Sequence, residues 1–489
     1  MSGQSLKEKT AKGFIWAAFN NGAQQVLNLI IGIFLGRLLS PADYGMAGLL
    51  QIFTLIASAL QESGFIAGLA NRKEVRHEDY NAVFWFSISI SAVIYVILFF
   101  LAPYITIFYE KSDLTGINGL SDLTPLARYT FLGFFIASFG IAHRAHLFRT
   151  LQVKKHAIVS IVSLTLSGIT GITMAYFGYA YWGIATQGLV FVASNDIMFW
   201  WMSGWRPSFK ISFKPLKEMF GFSSKLLITN ITIHINNNIL TVILGRFYSI
   251  HEVGLYNQAN KWNSMGYSTV NGMVSGVAQP VLRNVIDDKE RQKRVFRKML
   301  RFTAFVCFPA MFGLSLVATE LITITITEKW IESAKLLQML CIGGAFIPLQ
   351  TLFTNLIISE GRSDTFLYST ATLGILQIVT ALCCHSYGLQ TMIIAYVCIN
   401  IIWLFVWHYL AHAKIRLTWI ETIKDILPFA FIAAGVMLIT AMIASYVPNI
   451  WMRFITKIIL AVTLYCGLMW LSGSSTFNES MEYLFKKKK

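Results

Sequence analysis

Apolar runs of about twenty residues follow one another along almost the whole chain, separated only by short polar breaks, and nothing else in the sequence limits its fold so much. A helix needs that length to cross the hydrocarbon of a bilayer. The apolar content is too high for one water-soluble core: 55% of the 489 residues are hydrophobic and only 13% are charged. The runs predict spans over 13–38, 44–69, 81–108, 125–148, 156–177 and 179–203, then 219–246, 253–281, 299–318, 333–359, 365–386 and 388–411, and finally 426–446 and 450–472. The expected fold is therefore all-α, a polytopic membrane protein of about fourteen transmembrane helices. The first twelve residues are polar and basic, and the apolar run from Gly13 to Leu39 is too long for the core of a secretory signal, so the first helix is expected to stay in the protein.

The net charge of +16 raises the possibility of a nucleic-acid partner, and the placement of the charges answers it. With the N-terminus inside and strict alternation, 31 of the 40 Lys and Arg residues fall in cytoplasmic segments. Eight fall outside: Arg37, Lys111, Arg128, Arg246, Lys329, Lys335, Arg453 and Lys457. Lys261, within a span, completes the set. Orientation in the membrane accounts for the basic excess, so no nucleic acid is expected. An even number of spans is required too, because one extra helix would reverse the asymmetry downstream. The basic segments Arg283 to Arg301 and Trp205 to Lys217, the latter interleaved with Phe209 and Phe213, are expected to meet lipid headgroups.

Leu35-Gly36-Arg37, Ser40, Asp43 and Gly45 align with Leu244-Gly245-Arg246, Ser249, Glu252 and Gly254 at an offset of 209 residues. Each copy ends the first helix of a set of six. Even sets give the copies the same orientation, so the chain is expected to hold two pseudo-symmetric six-helix lobes facing a cavity. The expected boundaries are 1–204 for the N-terminal lobe, 205–218 for an interfacial connector and 219–412 for the C-terminal lobe. Residues 413–489 add two more helices and a basic tail.

Polar groups inside a membrane are costly unless partnered or wet, so they are the candidate site. Asn21, Gln25 and Asn28 share one helical face, and Asn230, His234 and Asn237 repeat that spacing at the same offset. Such faces either line a cavity or hydrogen-bond neighbouring helices. Lys261, with Asn257 nearby, lies too deep in its span to serve only orientation. An ammonium there suits a phosphate-bearing substrate. Glu62 is the strongest intramembrane acid and a candidate for ion coupling, while Lys225 and Asp196 are also explained by snorkelling. The six cysteines lack the spacing of a zinc site or disulfide framework and are expected to be small core residues. Cys383, Cys384 and His385 point in different directions on a helix end, so no metal is expected, and no cofactor.

Gly36-Arg37-Leu-Leu-Ser-Pro-Ala-Asp43-Tyr44-Gly45 and Gly245 to Gly254 with Leu-Tyr256-Asn257-Gln-Ala-Asn260 carry a family resemblance. Gln279-Pro280, Lys329-Trp330 with Ala334, and Glu360-Gly361-Arg362-Ser-Asp364 add to it. Together they resemble the polysaccharide transporter family, the Wzx-type flippases of the multidrug/oligosaccharidyl-lipid/polysaccharide superfamily. The motifs mark helix ends and turns, and none is a catalytic signature. The resemblance implies a carrier, not an enzyme, that moves undecaprenyl-diphosphate-linked oligosaccharide from the inner to the outer leaflet of the bacterial inner membrane by alternating access. Both termini would be cytoplasmic, and the partners would be the lipid-linked substrate, membrane lipids and polysaccharide polymerase machinery. A lipid-II flippase and a multidrug antiporter of the same superfamily are the alternatives. A membrane-embedded polymerase or ligase fits less well, because the longest outside loop, near Tyr109 to Thr124, contains no histidine.

Overall fold

The computed structural model describes residues 6–62, 69, 74–110, 120–150, 152–209 and 214–485. Among the described residues every regular element is a helix, the one open structure in which an apolar run satisfies all of its own backbone groups in hydrocarbon.

Contacts divide the chain into two compact units, Met1–Gly254 and Leu255–Lys489. The first holds α1 (Leu6–Leu38), α2 (Pro41–Glu62), α3 (His77–Glu110), α4 (Leu123–Ala137), α5 (Ile141–Arg149), α6 (Val153–Tyr176), α7 (Ala180–Ser203) and α8 (Lys214–Phe247). In it α6 packs along α7 and α1, α4 packs on α3 and α7, and α8 lies against α2 and α3. The helix that opens the second repeat is thus built into the same unit as α2.

α9 (Ile250–Asn284) begins in the first unit and continues in the second. There it is followed by α10 (Lys289–Ile326), α11 (Ile331–Gly344), α12 (Ile347–Ser359), α13 (Ser363–Cys384), α14 (Leu389–Ile415), α15 (Trp419–Ala444), α16 (Ile450–Leu471) and the short α17 (Ser475–Phe485). α10 is the hub, with α11, α15 and α16 packed along it.

Eleven helical stretches among the described residues are long and apolar enough to cross a membrane. Two of them are pairs, α4 with α5 and α11 with α12, broken near Ser138–Gly140 and at Ala345. Ser138 and Ala345 are 207 positions apart, close to the 209-residue offset of the sequence repeat, so each set breaks its fourth span at the equivalent place. The long helices outside the eleven are α1, α7 and α9, and a count of fourteen requires these three to cross as well.

Most helix ends fall within about five residues of the sequence expectation, but α1 begins at Leu6 and α15 at Trp419, each seven residues early, α2 ends at Glu62, seven short, and α10 departs most. α10 runs over 38 residues, because its first three turns are the basic segment that sequence reasoning set apart as cytoplasmic. Those turns find carboxylates: Lys289 holds Glu360 at 2.8 Å, Lys293 holds Glu421 at 2.9 Å and Lys298 holds Glu479 at 2.6 Å. The connector after α7 is also pinned. Ser208 N–H donates to Asn81 Oδ1 at 2.9 Å and Trp85 Nε1–H to Ser208 O at 2.8 Å, while Phe209 stays exposed over the Trp85 ring. The cysteines need a correction. Cys307 and Cys341 are buried, but Cys383, Cys398 and Cys466 are exposed, as a small apolar thiol can be on the outer face of a lipid-embedded helix.

Candidate functional site

The repeated motif makes a tight corner in the first unit. Ser40 caps α2: its N–H and Oγ–H donate to Asp43 Oδ2 at 2.8 and 2.7 Å, and Asp43 N–H donates back to Ser40 Oγ at 3.3 Å. Ser249 caps α9 in the same way, with its N–H and Oγ–H on Glu252 Oε2 at 2.9 and 2.8 Å. Both are capping boxes that satisfy first-turn N–H groups. Pro41 is suited to the first helical position, where its missing N–H costs nothing.

The two helix starts meet through glycine. A Cβ on Gly45 would run into the Ile250 carbonyl and side chain, and a Cβ on Gly254 would run into the Pro41 carbonyl. Pro41 corresponds to Ile250, and Gly45 to Gly254, at the 209-residue offset. The contact is therefore reciprocal: each copy's glycine seats the first helical residue of the other. Gly245 repeats the theme, packed against Leu49 and the Tyr109 ring. Beside it the Arg246 guanidinium lies over the Phe108 ring at 5.4 Å.

The carboxamide faces are open. Asn21, Gln25 and Asn28 on α1 and Asn230 and Asn237 on α8 are all exposed, and His234 is half-buried. None of these five amides makes a side-chain hydrogen bond among the described residues, so they do not tie helices together. The side chains of Glu62 and Lys225 lie outside the described residues; Glu62 itself is the last residue of α2. Asp196 is buried against Gly140, at the break between α4 and α5.

In the second unit Lys261 is half-buried on α9 and has no ion-pair partner among the described residues. Asn257 is half-buried one turn before it, and Gln258 and Asn263 are buried beside it. The structure brings the polar residues of α9 together over a two-turn stretch. No group of three or more potential metal ligands occurs among the described residues.

Residues 34–335 match the family described as polysaccharide biosynthesis protein. The chain belongs to that family. Its relatives include a membrane protein of the cps region of Klebsiella pneumoniae, 27% identical over 74% of this chain and 73% of that one. The lipopolysaccharide biosynthesis protein WzxC of Escherichia coli is 24% identical over 74% and 72%, and the teichuronic acid biosynthesis protein TuaB of Bacillus subtilis 23% over 74% and 74%. The fold matches the lipid II flippase MurJ in an inward closed conformation with a TM-score of 0.76, covering 96% of this chain and 99% of that one at 15% identity. An inward-facing multidrug MATE transporter gives 0.64, covering 80% and 94% at 18% identity.

Two features of this family member escaped sequence reasoning. Lys457, assigned to orientation, is half-buried on α16, with its ammonium donating to the buried Glu320 Oε1 at 2.7 Å and to Leu316 O at 2.9 Å. Arg297 forks onto Asp425 at 2.6 and 3.1 Å and reaches Glu421 at 3.1 Å. The available signal for the first was a base, Lys457, well inside the span over 450–472 and a lone acid, Glu320, in the apolar stretch just past residue 318. It was missed because the span over 299–318 ended before Glu320.

Proposed function

We propose that this protein is an exporter of lipid-linked oligosaccharide for surface polysaccharide assembly, moving an undecaprenyl-diphosphate-linked unit from the inner to the outer leaflet with both termini in the cytoplasm. The observation that carries the reading is the exposed carboxamide faces of α1 and α8 in a member of the polysaccharide biosynthesis family. Amides that are exposed yet make no side-chain hydrogen bond, on helices of membrane length, are stable only where water reaches them, and a wet surface inside a membrane protein is a transport cavity. Asn21, Gln25, Asn28, Asn230, His234, Asn237, Asn257 and Lys225 would contact the substrate in this reading. Lys261 would meet the diphosphate, since an ammonium without a carboxylate attracts an anion that must leave bulk water. Glu62 would carry a coupling ion.

The two repeats, 1–204 and 219–412, act in this reading as lobes. The fold neighbours support a carrier over a polymerase or ligase, and the relatives named for polysaccharides favour this cargo over lipid II or drugs.

Deletion should leave lipid-linked oligosaccharide made but held on the inner leaflet, with surface polymer lost. In the complemented strain, Lys261→Ala should cut export at least tenfold at unchanged protein level, and Lys261→Arg should recover part of it. Normal surface polymer in the deletion strain, without a redundant exporter, sinks the assignment. Normal export by Lys261→Ala removes the lysine from the site.

A further inference from the structure

A groove of about 660 Å³ opens at the basic end of the second unit, between the end of α9, the start of α10 and α17. Its size suits a small molecule or one lipid rather than a bulky chain assembly. The walls are apolar: Met273 and Val277 from α9 face Met299 and Phe302 from α10, and Met273, Val277 and Phe302 remain exposed. The rim is not. Lys298 and Arg301 stand on α10, and Ser475 and Thr476 begin α17 opposite them.

The charges at the rim are unequal. Lys298 is matched by Glu479 at 2.6 Å. Arg301 is not matched in the same way, because its nearest carboxylate oxygen, Asp425 Oδ1, is 3.7 Å away and already accepts from Arg297 at 3.1 Å. Asp425 is held on both oxygens by the Arg297 fork, and Arg301 Nε is buried without a hydrogen-bond partner. A guanidinium carries five donors and cannot lose its charge, so one that reaches its carboxylate only at 3.7 Å, with no hydrogen bond from Nε, has donors to offer an oxyanion at this apolar groove. The first turn of α17 adds backbone N–H groups that a helix start leaves without an intrahelical acceptor, and the Ser475 and Thr476 hydroxyls stand on the same rim.

We propose that this groove holds one membrane phospholipid with an anionic headgroup. Its phosphate would be bound by Arg301 and the start of α17, and an acyl chain would lie along Met273, Val277, Met299 and Phe302. The inference stands apart from the export reading, since it concerns different residues and would hold whatever cargo the protein carries. Bound there, the lipid would tie α17 to α9 and α10; among the described residues α17 meets α10 through the exposed Lys298–Glu479 pair and through apolar contact such as Phe477 with Phe305.

The test is native mass spectrometry of the full-length protein released from bilayers of phosphatidylglycerol in excess phosphatidylcholine. Wild type should retain one phosphatidylglycerol after phosphatidylcholine has been stripped. Arg301→Gln should lower that retention about tenfold, the loss expected for hydrogen bonds to a charged group. Arg294→Gln, the same charge change at an exposed position on the same helix, should leave it unchanged. Val277→Trp should abolish retention by filling the groove, with Met299→Phe as the second filling variant if the tryptophan protein does not fold. Equal loss in Arg301→Gln and Arg294→Gln overturns the proposal in favour of diffuse surface charge. So does retention of phosphatidylcholine as well as phosphatidylglycerol, wild-type retention in a filled variant, or displacement of the lipid by an equal amount of undecaprenyl diphosphate.

Discussion

At the corner of the first unit, the starts of α2 and α9 meet backbone to backbone, through Gly45 on Ile250 and Gly254 on Pro41. α15 and α16 of the second unit meet α10 differently, through Arg297 on Asp425 toward one end and Lys457 on Glu320 toward the other. The corner belongs to the duplicated part of the chain, whereas α15 and α16 lie outside both copies. Duplicated surfaces already fit each other by symmetry and need only small residues to close. Appended helices have no symmetric mate, and ion pairs fix their register at two depths instead. A glycine contact can part without stranding a charge, while a buried ion pair cannot. The difference suits the first to a surface that opens and the second to one that stays shut.

The largest effect should come from breaking the charged side of this comparison. Lys457→Met leaves the Glu320 carboxylate, 4% exposed, without its cation. Removing one member of a buried pair costs about 3–5 kcal/mol. The thermal midpoint in detergent should fall steeply, and Glu320→Leu in the same chain should restore most of it. A single substitution that leaves the midpoint unmoved would show that the pair is not a staple.

Next comes the corner. Gly45→Ala forces a methyl group into the Ile250 carbonyl, an overpacking worth about 1–3 kcal/mol, and should cut export more than stability if the corner must close in each cycle. Gly22→Ala is the comparison, since nothing lies within 4 Å of its added Cβ. Equal behaviour of the two alanines would remove the corner from the transport cycle.

Ser249→Ala sharpens the comparison by testing a helix cap apart from glycine packing. It removes the acceptor for the Glu252 N–H and the hydroxyl donor to Glu252 Oε2, a loss of about 1 kcal/mol visible as a modest fall in the midpoint. The smallest effect belongs to Glu479→Gln at the exposed Lys298 pair. The Lys298 ammonium holds the Glu479 carboxyl below its usual range. The pair's contribution is therefore present at neutral pH and fades only as pH falls through that lowered value. Between pH 6 and 8, roughly the range above any ordinary carboxylate, the variant should melt at most slightly below wild type, and the two should converge as pH falls through the lowered value.

These contrasts also mark how far sequence reasoning reached. The spans were legible because lipid demands a long apolar run for every crossing, and the repeat because Gly, Ser and Arg recur at one offset. Reciprocity was not legible: alignment pairs Gly45 with Gly254, whereas contact pairs Gly45 with Ile250. The exposure of Asn21, Gln25 and Asn28 followed from their shared face, but whether they would bond a neighbouring helix depended on what lay opposite. Lys289, Lys293 and Arg297 read as headgroup contacts because their carboxylates, Glu360, Glu421 and Asp425, sit far along the chain in segments with no local reason to approach.

The ion pairs of α10 also set a clock during synthesis. Glu320 leaves the ribosome 137 residues before Lys457, and Arg297 leaves it 128 residues before Asp425. At about 5–20 residues per second, Glu320 waits roughly 7–27 s for its cation. A lone charge in a nascent span costs about 2.5–3.5 kcal/mol to release into lipid, so α10 gains by lingering beside the insertion machinery until the last two helices arrive. A chain truncated before α15 would be expected to stall there, and quality-control proteases would meet the defect before the finished protein ever did.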